Sequence, residues 1–192
     1  MEKIILASAS PRRKELLSQI NVPFDIIPSE VEEKIDELAG SPGEKAERLA
    51  LLKAMDVAEK VKEGLVLGAD TIVVLDDTIF GKPKDDNDAL KMLKGLNGRE
   101  HLVITGIALV NACNGQVKSG YEVTRVLFDT LADSELIAYI NSGEPEGKAG
   151  AYAIQGMGAL LVKELKGCYF NVVGLPIVLL KSLLRDFRIS IL

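Results

Sequence analysis

Ile4-Ile5-Leu6-Ala7-Ser8-Ala9-Ser10-Pro11-Arg12-Arg13 is the stretch from which the fold is read. Its apolar start reads as a buried strand over 3–7 and its small hydroxyl residues as a turn. Pro11 then opens a helix over 11–20, at a position where its missing N–H costs nothing. The layout also suits an anion. A helix N-terminus offers N–H groups and a positive dipole end, and Arg12 and Arg13 add planar donor forks that match phosphate oxygens. The plainer alternative for these residues alone is a strand-to-helix corner with two solvated arginines.

Outward from this corner, a short strand falls near 24–27, and an acidic loop covers 28–40. Ser41-Pro42-Gly43-Glu44 has capping-box spacing and opens a long helix to about Glu63, closed by Gly64. Leu65–Ala69 and Ile72–Leu75 read as a buried β ribbon interrupted by Asp70-Thr71, with a turn at Asp76-Asp77 before Ile79-Phe80. A helix over 86–96 leads into a strand near 101–112. The Asn114-Gly115 turn predicts an antiparallel return over 116–130. A short helix near 134–141, a glycine-rich segment 147–158, a strand 159–165 and a final helix from Pro176 to about Phe187 complete one α/β unit with a mixed, twisted sheet.

The chain has 192 residues, 47% of them hydrophobic, enough for a single domain spanning 1–192, including one with two lobes around a cleft. Its net charge of −5 argues against long nucleic acid as a partner, although a local basic cluster or a bound cation can still hold a small polyanion. Two cysteines, Cys113 and Cys168, have neither CxxC nor Cys/His spacing and are expected to pack as small hydrophobes. No apolar run approaches the roughly 18 residues that span a bilayer, and no signal-peptide pattern precedes the first strand. A soluble cytoplasmic protein is the expectation.

Four further segments can carry chemistry. Asp70, inside an apolar strand, must be paired, metal-bound or facing a cleft, because burying a lone carboxylate is prohibitive; capping of a turn is the alternative. In Glu30-Val31-Glu32-Glu33 several carboxylates lie close enough to share a hard divalent cation with Asp70, and spacing leaves open which glutamate points inward. Lys53 lies on the long helix, where a snorkelling side chain is the alternative, and Lys82 sits in the rigid corner Gly81-Lys82-Pro83. In Lys148–Gly158 small residues permit close backbone approach to a ligand, and the amide of Gln155 can read a base edge; a glycine-rich hairpin is the alternative. His101, the only histidine, reads as structural, so no Ser/His/Asp triad has a frame. Carboxylates that hold a cation and activate water, beside cationic side chains, are the ingredients for hydrolysing a phosphoanhydride.

Taken in order, these motifs, with Arg48-Leu49-Ala50, Lys53-Ala54 and Val173-Gly174-Leu175-Pro176, resemble the Maf-type nucleoside triphosphate pyrophosphatases nearly end to end. The resemblance implies an elongated, ITPase-like α/β fold whose mixed twisted sheet is flanked by helices, with two lobes around a central cleft. It implies hydrolysis of a nucleoside triphosphate to the monophosphate and pyrophosphate, with Mg2+ or Mn2+. By the same resemblance Asp70 is the catalytic base, Glu33 and Asp70 attend the metal, and Ser8, Arg12, Arg13, Lys53 and Lys82 hold phosphates.

Within that family the branch for dTTP and UTP has Arg, Thr and Gln where the branch for 7-methyl-GTP has Trp, Gln and Glu. This chain has Arg12, Thr71 and Gln155. Glutamine can pair with the O4/N3–H edge of uracil or thymine, so pyrimidine triphosphates are expected, modified ones included. The resemblance further implies a homodimer. A nucleotide-binding regulator of cell division with little turnover is the competing expectation.

Overall fold

The computed structural model describes residues 3–192. Strand β1 (Ile4–Leu6) passes through the Ser8–Ser10 turn into helix α1 (Pro11–Gln19), with Pro11 in the first turn, and on to β2 (Phe24–Ile26). Helix α2 (Pro42–Ala58) then leads to β3 (Leu65–Leu75). β1 pairs in parallel with both β2 and β3, as helix-bearing crossovers require. β4 (Thr78–Phe80) folds back antiparallel on β3.

Helix α3 (Asp86–Leu96) precedes β5 (Glu100–Asn111) and β6 (Val117–Phe128). Bonds from Asn111 N to Gln116 O at one end and from Phe128 N to Arg99 O at the other make this pair antiparallel, as the Asn-Gly turn predicts. Helix α4 (Asp133–Asn141), β7 (Val162–Lys166), α5 (Tyr169–Val173) and α6 (Ile177–Asp186) follow. The seven-stranded mixed sheet has the order β2-β1-β3-β5-β6-β7, with β4 on β3, and β7 is antiparallel to β6. None of the described helices is long and apolar enough to cross a membrane.

The chain divides into two compact units, one of residues 1–70, 105–122 and 174–192, the other of 71–104 and 123–173. In the first, Ala50, Ala54, Val57 and Ala58 of α2 pack on Ala7, Val66, Ala108 and Val110. The small residues are a geometric necessity here. A Cβ on Gly68 would lie 2.1 Å from Ala50 O, and one on Gly106 would lie 2.3 Å from the Ala46 carbonyl carbon. In the second unit His101, Phe128 and Tyr152 form three mutual edge-to-face contacts with centroids 4.7–5.5 Å apart, and α3 packs on α4.

Four expectations from sequence are corrected. α2 ends at Ala58, short of Glu63, because Glu59, Lys60, Lys62 and Glu63 leave only Val61 to bury, and the chain uses these residues to turn into β3. β3 is continuous through Asp70-Thr71; a polar side chain interrupts the apolar pattern without interrupting backbone pairing. Residues 159–161, expected to start a strand, instead complete a 3₁₀ stretch, Gly156–Leu161, that opens at Gly156 with φ 67°, and β7 begins only at Val162. Cys113 is exposed in the β5–β6 turn and so is not a core residue; Cys168 is partly buried, and both thiols are free.

Helix α5 had no sequence signal. It is held by buried Asn171, whose Nδ2 donates to Val103 O at 2.9 Å and to Thr124 Oγ1 at 3.0 Å.

Candidate functional site

In the first unit, the Ser8–Ser10 turn leaves β1 while still tied to the sheet, with Ala7 N donating to Leu67 O at 2.8 Å. Ser8 Oγ accepts from Ser10 N at 3.2 Å and from Arg13 Nη1 at 3.0 Å. Arg13 Nε donates to Gly174 O at 2.8 Å. Ser10, which precedes α1, makes no side-chain cap, so Ser8 and Arg13 organise the helix entrance. Burial pushes the Arg13 pKa down, opposed by the charge of Asp70. The ordinary arginine value lies so far above neutrality that the guanidinium stays charged.

Lys53 is in phase with Ala46, Leu49, Ala50, Ala54 and Val57 on the buried face of α2, and is itself 7% exposed. That excludes the snorkelling alternative. Its Nζ lies 2.6 Å from Asp70 Oδ1 and 2.8 Å from Glu33 Oε1. The Gly68 approach lets α2 come close enough to β3 for this contact, since Lys53 adjoins Ala54 and Asp70 lies two residues beyond Gly68. Desolvation raises the Asp70 pKa above the usual carboxylate range. The charges of Lys53 and Arg13 pull it back, and that of Glu33 adds to the rise.

Spacing could not choose among the acidic loop residues; the fold does. Glu33 meets Lys53, while Glu30 pairs with Lys60 at 2.7 Å and Glu32 with Lys34 at 2.8 Å on the surface. Arg12 stands beside Arg13 in the first turn of α1, and its charge contributes to the lowering at Arg13.

Thr71, Lys82 and Gln155 belong to the second unit. Thr71 directly follows Asp70 on β3. Gly81, next to Lys82, accepts a hydrogen bond at 3.0 Å from Gly150 N, which ties the Gly81-Lys82-Pro83 corner to the glycine-rich segment. Gly150 has φ 66°, and a Cβ there would lie 3.0 Å from the Val73 methyls, so this approach requires glycine. Gln155 is partly buried and extended, immediately before left-handed Gly156. His101 is 2% exposed with Nε2 2.8 Å from the Tyr152 hydroxyl, and burial lowers its pKa to about 4, which fits the structural role expected from sequence.

Among the described residues no group of three or more His, Cys, Asp or Glu side chains forms a metal cluster. The donor chemistry fits a hard cation nonetheless. Two carboxylates, Glu33 and Asp70, converge on a single cationic point, and magnesium commonly binds through one or two carboxylates with substrate phosphates and water completing its shell.

Sequence reasoning missed three participants. The Gly174 carbonyl that holds Arg13 lies in Val173-Gly174-Leu175-Pro176, where no side chain signals the contact, and its φ of 118° marks a glycine-dependent turn. The His101–Tyr152 bond and the contacts of Glu144 described below join residues far apart in sequence, and no local pattern signals them.

The arrangement is that of an α/β protein in which a buried carboxylate paired to lysine lies in the same unit as a strand-to-helix turn organised by arginine. Residues 3–187 match the Maf-like protein family, and the chain belongs to it. The dTTP/UTP pyrophosphatase of Ruminiclostridium cellulolyticum is 56% identical over 192 residues, covering 100% of both chains. That of Clostridioides difficile is 53% identical over 184 residues, covering 96% of this chain and 94% of its own. Among solved structures, a HAM1 protein from Coxiella burnetii superposes with a TM-score of 0.55 at 17% identity, covering 97% of this chain and 100% of that one, a likeness of fold.

Proposed function

We propose that the chain hydrolyses dTTP and UTP to the nucleoside monophosphate and pyrophosphate; both relatives carry the name dTTP/UTP pyrophosphatase. The observation that carries the chemistry is the buried Asp70 carboxylate, more basic than usual and held 2.6 Å from Lys53 Nζ. In this reading Asp70 accepts a proton from water as the water oxygen attacks, and the anhydride between the α and β phosphates breaks. Ser8, Arg12, Arg13, Lys53 and Lys82 bind phosphate oxygens and offset the charge that develops on the pyrophosphate group. Arg12, Thr71 and Gln155 set the preference for a pyrimidine, with the Gln155 amide matching the O4/N3–H edge.

Glu33 and Asp70 would hold a divalent cation, magnesium or manganese. When bound, such an ion neutralises phosphate charge and lowers the pKa of coordinated water. The same reading has the protein acting in the cytoplasm and as a homodimer, which sedimentation would test.

The deciding experiment measures pyrophosphate release from dTTP, UTP, CTP, GTP and 7-methyl-GTP with magnesium or manganese, for wild type and Asp70→Asn. The expected result is turnover of dTTP and UTP that chelation abolishes and Asp70→Asn removes, with nucleotide binding retained. Preference for 7-methyl-GTP would overturn the roles of Arg12, Thr71 and Gln155. Binding without turnover on any nucleotide would overturn the catalytic reading.

A further inference from the structure

The segment that carries Gln155 is anchored on both sides by residues outside it. Upstream, the Tyr152 hydroxyl meets His101 Nε2 at 2.8 Å, and Ala153 N donates to the Tyr139 hydroxyl at 3.2 Å. Downstream, both oxygens of one carboxylate are engaged: Glu144 Oε1 accepts from Met157 N at 2.9 Å, and Oε2 from Gly158 N at 3.1 Å. These two N–H groups lie in the open first turn of the 3₁₀ stretch Gly156–Leu161, where intrahelical acceptors are lacking.

Gln155 precedes that turn and supplies no side-chain cap, so the capping falls to Glu144 and the Gln155 amide is not engaged in it. The carboxylate also sits against the bend itself. A Cβ on Gly156, at φ 67°, would come within 2.4 Å of Glu144 Oε1. Glu144 is held in turn through its own backbone, its carbonyl accepting a hydrogen bond from Lys148 Nζ.

We propose that Glu144 is a positioning residue for nucleotide selectivity: by clamping the turn that follows Gln155, it fixes the direction in which the Gln155 amide meets the base. The proposal rests on the reading of Gln155 as the base-facing residue. A carboxylate with each oxygen on a different backbone N–H is a charge-assisted, two-point clamp that defines orientation as well as position. Discrimination between bases by hydrogen bonding depends on that orientation, whereas phosphate binding by long, flexible cations depends on it far less.

The test is the ratio of kcat/KM for UTP to that for CTP in wild type, Glu144→Ala, Glu144→Gln and Gln155→Ala. Glu144→Ala is expected to reduce the ratio about tenfold, mostly through KM for UTP, the size of one lost hydrogen bond. Glu144→Gln, which keeps one acceptor oxygen, is expected to fall between wild type and Glu144→Ala. Should Glu144→Ala fail to fold, Glu144→Gln alone decides by the same ratio.

Equal losses on UTP and CTP in the Glu144 variants would overturn the proposal, since a residue that merely stabilises the fold lowers both alike. A ratio lost in Gln155→Ala but kept in the Glu144 variants would overturn it while sparing the Gln155 reading. Unchanged ratios in all three would show that the Gln155 reading itself had failed, and the proposal with it.

Discussion

Lys53 Nζ and Asp70 Oδ1 lie 2.6 Å apart with both side chains 9% exposed, so an ammonium and a carboxylate are withdrawn from water together. Neither charge is tolerable there alone. Removing the lysine takes away the counter-charge bonded to this buried carboxylate and leaves only the Arg13 charge to offset it, a change that typically costs about 3–5 kcal/mol. Lys53→Met is therefore expected to lose stability of that order at pH 7, measured by urea unfolding. The deficit should shrink as the pH falls and Asp70 becomes protonated.

The sign of the wild-type pH dependence at Asp70 follows from its raised pKa. The folded state holds this proton more tightly than the unfolded state. The carboxyl therefore weakens stability as the pH rises from the ordinary value of about 4 through its folded value. With Asp70 as the proposed base, activity is expected to run the other way, because a base must be ionised. kcat/KM should fall as the pH drops and Asp70 takes up its proton, and an acid side with no such fall would remove Asp70 from the role of base.

Gly68 is the position where added volume does the most damage to this pair. A Cβ 2.1 Å from Ala50 O has no flexible atom to displace, so Gly68→Ala must push α2 off β3 and carry Lys53 away from Asp70. A loss of about 3 kcal/mol, at the upper end for overpacking, is expected together with reduced turnover. Gly81→Ala, where a Cβ meets nothing within 4 Å, serves as the stability control.

His101 supplies a second and opposite pH dependence. Its pKa is lowered from 6.5 to about 4 by burial, so the unfolded chain takes up the proton first. The associated stability is complete above pH 6.5 and is lost as the pH falls toward 4, by about 3 kcal/mol over that window. Denaturation midpoints for His101→Phe should lack this contribution, and an unchanged slope between pH 7 and 5 would count against a buried neutral imidazole.

Ser8→Ala removes the acceptor shared by Ser10 N and Arg13 Nη1. With that hold on the Arg13 fork lost, KM for the nucleotide is expected to rise about tenfold, the equivalent of roughly 1.4 kcal/mol, with a smaller change in kcat. A fall in kcat at constant KM would instead assign Ser8 to the chemical step.

What the sequence determined by itself was local and periodic. Pro11 opening α1, Ser41 and Glu44 capping α2, the Asn114-Gly115 turn and Pro176 ahead of α6 are each set by interactions within a few residues, so each is legible without the fold. The motif residues Ser8, Arg12, Arg13, Lys53, Asp70, Thr71, Lys82 and Gln155 could likewise be singled out as chemically capable. Tertiary structure decided which of them meet. Glu33 rather than Glu30 or Glu32 reaches Lys53, and Lys53 belongs to the core rather than to the surface. Gly174 holds Arg13 across 161 residues, and Glu144 clamps the turn after Gln155. The physical reason is that a charge chooses its partner by distance and desolvation in space. Both depend on how closely α2 can approach the sheet at Gly68 and Gly106, and no local pattern of residues encodes that spacing.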